Sequence, residues 1–330
     1  MPNPRFGVIK PCCIGDAVMA LPVIDNLALA YPESQIEVWC GRHSSAVFAR
    51  HPRVDAIVEI PDVPALRDMP RLISDLRSSS TYGFLVLDRS RLIAAACRLS
   101  GVRVSGSVRT ESDGTVHEID RYLITLQQAG IPVDVRTPSL PADVFCDGAR
   151  RNLIQDLGAS FVTLHPGGAR NPGSSMLTKR WPAGNWRSVI EWLEARSIST
   201  VLTGSPDELD LCSSIAAGTK ARVAAGRLSL IESAGLAAGG LAFAGPDTGL
   251  SHLVAATGTP TVAIFGPTNP AQYGPRGDNV TILAAPGSYQ IGDTDLRKSN
   301  IGTGPRTSEV TIDKVIAALE ALLDRSRTDR

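Results

Sequence analysis

The sequence predicts an α/β fold of two doubly wound halves, and three observations carry that prediction. Short apolar runs alternate with helical stretches along the chain, which calls for parallel sheets with helices on both faces. At 330 residues the chain is longer than one ordinary α/β core, and two domains of about 150 residues suit that length. Site-like strand-to-helix junctions occur in both halves, at Ile14-Gly15-Asp16 and at Gly245-Pro246-Asp247-Thr248-Gly249-Leu250-Ser251-His252, which suggests a cleft between two domains. The expected domains are 1–150 and 151–330, with the boundary between Asp143 and Ala159 around Phe145-Cys146-Asp147-Gly148.

Taken in order, Phe6 to Lys10 reads as a buried strand broken by Gly15-Asp16. Ala17 to Ala28 has helical periodicity, with a kink or short break expected at Pro22. Gln35 to Cys40 reads as a strand, Ala46 to Arg50 as a helix, Ala56 to Ile60 as a strand, and Leu66 to Ser78 as an amphipathic helix. Phe84 to Leu87 is a fourth strand, ending at Asp88-Arg89. In the second half, Phe161 to His165 is a strand running into Pro166-Gly167-Gly168. Asn185 to Arg196 is a helix, Ser199 to Thr203 a strand closed by Gly204-Ser205-Pro206, and Asp207 to Ala217 a helix. Ser229-Leu230-Ile231-Glu232 is a capping box that opens another helix. Leu241 to Ala244 and Thr261 to Phe265 are strands on either side of the Asp247 junction and its helix. Ala285 to Ser308 reads as a long, mobile surface segment. Ile312 to Arg325 is a closing helix, expected to pack back on the N-terminal domain.

Composition narrows the function. Hydrophobic content of 43% and charged content of 20% describe a soluble globular protein. The formal net charge of +0 and an aromatic content of 5% weigh against nucleic-acid binding, which favours a basic face and stacking side chains. No stretch approaches the ~20 apolar residues of a membrane span, and no charged-then-apolar leader opens the chain. The expectation is a cytoplasmic protein whose mature form is the whole chain. The six cysteines, Cys12, Cys13, Cys40, Cys97, Cys146 and Cys212, have no metal-binding spacing and are expected to be reduced thiols.

The motifs point to an anion. A helix starting near Thr248 aims free N–H groups and its positive dipole end at the preceding strand's carboxyl end, which is an anion site. Gly249 permits close approach, and Thr248 and His252, four apart, share one helical face. The loop Phe265-Gly266-Pro267-Thr268-Asn269-Pro270 follows on the next strand. His165-Pro166-Gly167-Gly168 is a glycine turn at another strand end, and Lys179 reads either as neutralising phosphate charge beside it or, with Arg180, as part of a solvated basic pair before a helix. Glu208 suits ribose hydroxyls or a helix first turn equally. Asp16, the one acid in a long apolar run, is a candidate general base or a helix cap. Asp88, Arg89, His117 and Arg121 are candidates for gripping an acceptor.

Together these motifs resemble glycosyltransferase family 9, the heptosyltransferases of bacterial envelope synthesis. The resemblance runs from Gly15-Asp16 and its Leu21-Pro22 helix, through Lys179-Arg180-Trp181-Pro182, to Asp247-Thr248-Gly249-Leu250-Ser251-His252 and Phe265-Gly266-Pro267-Thr268. It implies the GT-B architecture, two Rossmann-like domains facing each other across a cleft. It implies an inverting transfer with no cofactor and no essential metal, from a nucleotide-sugar donor, ADP-heptose above all, held by the C-terminal domain. The acceptor would be a saccharide or lipid-linked saccharide, as in lipopolysaccharide core synthesis. By motif position Asp16 resembles the catalytic base and Lys179 the diphosphate lysine. Gly167 and Gly168 resemble the phosphate turn, and Glu208 the acid near the ribose. Leu228 falls near the adenine, and Asp247, Thr248, Gly249 and His252 at the diphosphate and sugar. A monomer with at most peripheral membrane contact is expected. Rival readings are a family member acting on a small-molecule acceptor, a GT-B sugar-nucleotide epimerase or hydrolase, and a noncatalytic nucleotide-sugar-binding protein. An NAD-dependent oxidoreductase is disfavoured, because Pro11 to Asp16 lacks GxGxxG.

Overall fold

The structure is a computed structural model that describes residues 4–108, 116–142, 157, 160–168, 170–171, 174–290 and 305–328. The chain divides into two compact units, Met1–Ser139 and Leu140–Arg330. The segment read as the boundary lies outside the described residues except for Leu157, as does most of the stretch read as a mobile surface segment.

In the first unit, β1 (Arg5–Lys10), β2 (Gln35–Cys40), β3 (Ala56–Glu59), β4 (Gly83–Val86) and β5 (Val104–Ser107) form a parallel sheet in the order β3-β2-β1-β4-β5. The helices are α1 (Ile14–Ala30), α2 (Arg42–Phe48), α3 (Met69–Ser78), α4 (Arg91–Ser100) and α5 (Glu118–Gln128). Successive strand residues point to opposite sheet faces. Ile9, Trp39, Phe84 and Val86 accordingly pack with Leu72, Leu76, Ile93 and Ala96 of α3 and α4. Helix α1 is buried from Ala17 to Leu27 except at Asp25, as a helix between a sheet and a neighbouring helix must be. It runs through Pro22 without the expected break. Asn26 one turn later donates to the Pro22 carbonyl at 2.6 Å and the Val135 carbonyl at 2.8 Å, and its Oδ1 accepts from Asp134 and Val135 amides.

The second unit has the parallel sheet β10-β9-β6-β11-β12-β13. Its strands are β6 (Phe161–Leu164), β9 (Ser199–Leu202), β10 (Arg222–Val223), β11 (Ala242–Pro246), β12 (Thr261–Phe265) and β13 (Val280–Ala284), and a two-stranded ribbon pairs β7 (Arg170–Asn171) with β8 (Ser174–Ser175). One face carries α6 (Ala183–Glu194), α7 (Leu209–Ala216) and α11 (Ile312–Thr328). Trp186, Ile190, Ile215, Leu319 and Leu322 meet Val162, Leu164, Val262 and Ile264 there. The closing helix α11 thus covers its own unit's sheet. The other face carries α8 (Leu230–Ala238) and α9 (Gly249–Ala256), and Leu236 packs with Phe161 and Val201. A short α10 (Pro270–Tyr273) follows β12. No helix among the described residues is long and apolar enough to cross a membrane.

Both sheets are Rossmann-like. In each, the first strand of the unit (β1, β6) sits between the next strand of its sheet along the chain (β2, β9) and one reached later (β4, β11). The chain reverses its direction of winding between those neighbours, and open α/β sheets bind ligands at the carboxyl ends of strands at that switch point.

The cysteine expectation is corrected in one place. Cys40, Cys97 and Cys212 are free and buried, and burial pushes the Cys40 and Cys212 thiols up to about 12. Cys12 and Cys13, however, are joined in a disulfide. The pairing is between immediate sequence neighbours, which spacing rules for metal or loop-closing cysteines do not detect. Cys146 lies outside the described residues.

Candidate active site

The switch point of the second unit gathers the residues read as donor ligands. Asp247 follows β11, and Thr248 is the N-cap of α9 with extended backbone. The Asp247 carboxylate is buried and accepts from Lys179 Nζ at 2.6 Å and Thr268 Oγ1 at 2.7 Å, both on Oδ2. His252 Nε2 stands 3.8 Å from Oδ1, an electrostatic rather than a hydrogen-bonded distance. Burial alone would raise the Asp247 carboxyl. The Lys179 ammonium, with His252 adding to it, overrides burial and holds the carboxyl well below the usual carboxylate range. Ser251 donates to the Pro246 carbonyl at 2.6 Å, which closes the turn.

The glycine turn after β6 lies against this junction. Gly168 has φ of +82°, a conformation that favours glycine. A side chain there would meet the Thr248 side chain and would come within 3.2 Å of His165 Nε2. His165 Nδ1 lies 3.1 Å from the Thr203 carbonyl. Burial lowers its proton affinity, so the neutral ring donates from Nδ1 and turns the Nε2 lone pair toward Gly168.

Glu208, read as a ribose acid, is buried and fully engaged. Its Oε1 accepts from the Gly168 amide and from Arg180 Nη2 at 3.0 Å, and its Oε2 accepts from the Ser205 amide at 2.8 Å. Burial raises this carboxyl too, but His165, the two amides and Arg180 outweigh burial and lower it. In this arrangement Glu208 braces the Gly168 turn, and the Arg180 guanidinium also donates to the Gly168 carbonyl at 3.2 Å from both Nε and Nη2. Thr307 Oγ1 donates to the Arg180 carbonyl at 2.7 Å, which holds the Lys179-Arg180 segment. Leu228 packs against the cluster of Phe161, Val201 and Leu236 on the α8 side of the sheet. Sequence reasoning placed Arg180, His165 and Thr268 in motifs without assigning them contacts. All three flank or touch acids that it had singled out.

The first unit has its own cluster at its own switch point. Asp16 lies in the first turn of α1, and its carboxylate meets Lys10 Nζ at 3.0 Å. Asp88, after β4, lies 3.6 Å from the same ammonium and accepts from the Ser90 amide at 2.8 Å. Lys10 is 4% exposed, whereas the Asp16 side chain is 32% exposed. Arg89 donates to both oxygens of Glu118 at 2.9 and 2.7 Å, and Arg121 Nη1 lies 3.4 Å from Glu118 Oε2. Burial raises the Glu118 carboxyl even though Arg89 opposes it. The buried Tyr122 hydroxyl is likewise raised by burial, and then by Asp16 and Glu118. His117 caps α5, its Nδ1 accepting from the Ile119 amide at 3.1 Å. Asp88, Arg89, Ser90, Arg91, Arg98 and Ser107 help line a cavity of ≈ 340 Å³. Lys10 and Tyr122 escaped the sequence reading, whereas Glu118 lies in the His117-Glu118-Ile119-Asp120-Arg121 stretch read as a candidate for gripping an acceptor. A lysine at the very end of a buried strand was the available signal for Lys10.

Among the described residues, no group of three or more His, Cys, Asp and Glu side chains could hold a metal ion. In each unit, charged side chains converge at the carboxyl end of a Rossmann-like sheet, the place where open α/β sheets bind ligands.

The chain belongs to glycosyltransferase family 9 (heptosyltransferase), whose family model matches residues 101–298. It is a glycosyltransferase. Lipopolysaccharide heptosyltransferase 1 of Pseudomonas aeruginosa is 29% identical over 304 residues, covering 83% of this chain and 81% of that protein. The crystal structure of a family 9 glycosyl transferase from Veillonella parvula DSM 2008 matches with TM-score 0.80 and 22% identity, over 98% of this chain and 99% of that one. The E. coli heptosyltransferase WaaC with ADP matches with TM-score 0.74 and 19% identity, over 96% and 99%. At these identities the two structures bear on the fold.

Proposed function

We propose that this glycosyltransferase moves a heptose, or a closely related sugar, from ADP-heptose to a hydroxyl of a saccharide or lipid-linked saccharide acceptor, as in lipopolysaccharide core synthesis. The observation that carries the reading is the Lys179–Asp247–Thr268 cluster beside the Gly167-Gly168 turn and the α9 N-terminus. A cation, amides and a helix dipole converge there where a diphosphate needs them. The relatives support the sugar: the Pseudomonas protein is named a lipopolysaccharide heptosyltransferase, and the E. coli structure was solved with ADP.

In this mechanism the acceptor hydroxyl loses its proton to Asp16, and its oxygen electron pair forms the new bond to the anomeric carbon. The bond from that carbon to the phosphate oxygen breaks, and its electron pair leaves with ADP. Attack opposite the leaving group inverts the anomeric configuration. Lys179 and the amides near Thr248 and Gly249 carry the charge that develops on the diphosphate. Each such donor contributes ~2.7–4 kcal/mol in comparable sites, so the protein supplies what a metal ion otherwise would. The Arg-lined cavity next to Asp88 suits an acceptor bearing anionic groups.

The test is a calorimetric screen of ADP-, GDP-, UDP- and CDP-sugars, followed by mass spectrometry and NMR of acceptor products. The expected results are preference for ADP-heptose, one added heptose of inverted anomeric configuration, and a rate unchanged by EDTA. Turnover of the donor without any acceptor would overturn the reading in favour of an epimerase or hydrolase. Binding without transfer to any saccharide would overturn it in favour of a noncatalytic binder.

A further inference from the structure

The carboxyl edge of the first sheet carries an anchored imidazole one helix away from Asp16. After β2 the chain turns at Gly41 into α2. The Gly41 amide donates to the Pro11 carbonyl at 2.8 Å, and Ser44 Oγ donates to the same carbonyl at 3.1 Å. These bonds fix the start of α2 against the end of β1. Asp62, just past β3, reaches over that turn. Its Oδ1 accepts from the His43 amide at 3.3 Å, and its Oδ2 lies 2.9 Å from His43 Nδ1. Gly41 makes the space for it, because a side chain there would run into Asp62 Oδ1 and the Pro11 carbonyl.

The pair is asymmetric toward solvent: the Asp62 side chain is 17% exposed and that of His43 60%. A carboxylate bound at Nδ1 fixes that nitrogen as the protonated one in the neutral ring and sets the ring's orientation. Nε2 is then the outward atom, and its lone pair can accept from a hydroxyl. Asp62 already takes the His43 amide, so the ring rather than the helix end is what this turn offers a ligand. An exposed ion pair adds little to stability. A ring held in one orientation with its far nitrogen open suits a binding contact, since little mobility is lost when a ligand arrives.

Helices α1 and α2 pack against each other, and both start at carboxyl ends of parallel strands. Asp16 and His43 both lie in the first turns of these helices. Packed helix axes stand about 8–10 Å apart, so a saccharide that offers one hydroxyl to Asp16 reaches His43 with another on the same or the adjoining ring. Helix α5, which carries Glu118 and Arg121, packs against α1 as well. The acceptor candidates read from sequence thus lie on α5 and after β4, and α2 adds one that no motif marked. We propose that His43 Nε2 accepts a hydrogen bond from a second hydroxyl of the acceptor saccharide, and that Asp62 is a positioning residue acting through the His43 ring. The proposal rests on the reading of Asp16 as the base in an acceptor-binding first unit.

The experiment follows heptose transfer from saturating ADP-heptose to a delipidated lipopolysaccharide core oligosaccharide that lacks heptose, in the wild type, His43→Asn, His43→Gln and Asp62→Asn. The Asn amide reaches the Nδ1 position and keeps the bond to Asp62, but it ends short of Nε2. The Gln amide reaches the Nε2 position. In His43→Asn the KM for the oligosaccharide is expected to rise about 3–10-fold, the scale of one neutral hydrogen bond, and in His43→Gln to return most of the way. The loss falls on acceptor KM rather than on kcat, and neither the melting temperature nor ADP-heptose affinity by calorimetry moves. Asp62→Asn raises the same KM in the wild type and adds nothing on top of His43→Asn, as expected of a residue that acts through the ring. An unchanged KM in His43→Asn would make the pair a solvated surface contact and overturn the proposal. An equal rise in His43→Asn and His43→Gln, with a lowered melting temperature, would make the role structural and overturn it too. Either result leaves the glycosyl-transfer reading standing, because the wild type still transfers heptose. Absence of heptose transfer by the wild type would defeat that reading, and this proposal with it.

Discussion

Lys179 and Asp247, 68 positions apart in sequence, meet Nζ to Oδ2 at 2.6 Å at the switch point of the second sheet. The pair is largely buried, at 16% and 7% side-chain exposure, and Thr268 donates to the same carboxylate oxygen. A cation held this way beside a helix N-terminus is preset toward an anion, and it loses little mobility when one binds.

Removing the cation separates its two roles. Lys179→Met leaves the buried Asp247 carboxylate short of its main partner, and breaking such a pair costs about 3–5 kcal/mol. It also removes a stabiliser of the leaving diphosphate, so kcat falls ~10²–10³-fold. The double variant Lys179→Met/Asp247→Leu is expected to recover most of the stability in urea melts and none of the activity.

The Gly168 turn yields a sharper contrast. Gly168→Ala forces a positive φ on a residue with a side chain and drives that side chain into Thr248. The expected cost is about 1–3 kcal/mol, with weaker donor binding by calorimetry. Gly184, in the first turn of α6, has open space around it. Gly184→Ala is expected to stabilise the protein by about 0.5–1 kcal/mol and to leave donor binding unchanged.

Acid sensitivity follows from Asp247 and Glu208. Both carboxyls are held below their ordinary values in the folded state. Between the unfolded and folded values the unfolded chain binds more protons, so stability falls as pH falls. Their contribution is complete above the ordinary carboxylate values of about 4 and is lost progressively below them. Chemical denaturation at stepped pH checks this. In Glu208→Gln, where the group cannot titrate, the decline below pH ~4 is expected to be shallower.

Much of this was legible in the sequence because it is local. Strand-then-glycine at His165-Pro166-Gly167-Gly168 and strand-then-acid at Gly245-Pro246-Asp247 mark carboxyl ends of parallel strands, where sites form. The missed elements lacked such marks. β10 is two residues long, β13 is only half-buried, and β5 (Val-Ser-Gly-Ser) has little apolar content. Pairings were invisible for a different reason. Arg180 reads as a solvated basic residue until the fold brings Glu208, 28 positions on, against it. Arg89 likewise has no visible partner until Glu118, 29 positions on, arrives with α5. Glu208 resembles the ribose acid by motif, and the fold adds its three hydrogen-bonded neighbours, Gly168, Arg180 and Ser205, which sequence spacing did not show.

The central claim is that Asp16 takes the acceptor's proton while the second unit holds the donor's diphosphate. The most direct measurement is the Asp16→Asn variant, with transfer rate and ADP-heptose affinity determined on the same preparation. A loss of ~10²–10⁴-fold in kcat with donor affinity unchanged is the predicted result. Transfer at the wild-type rate, or donor affinity that falls in step with the rate, would contradict it.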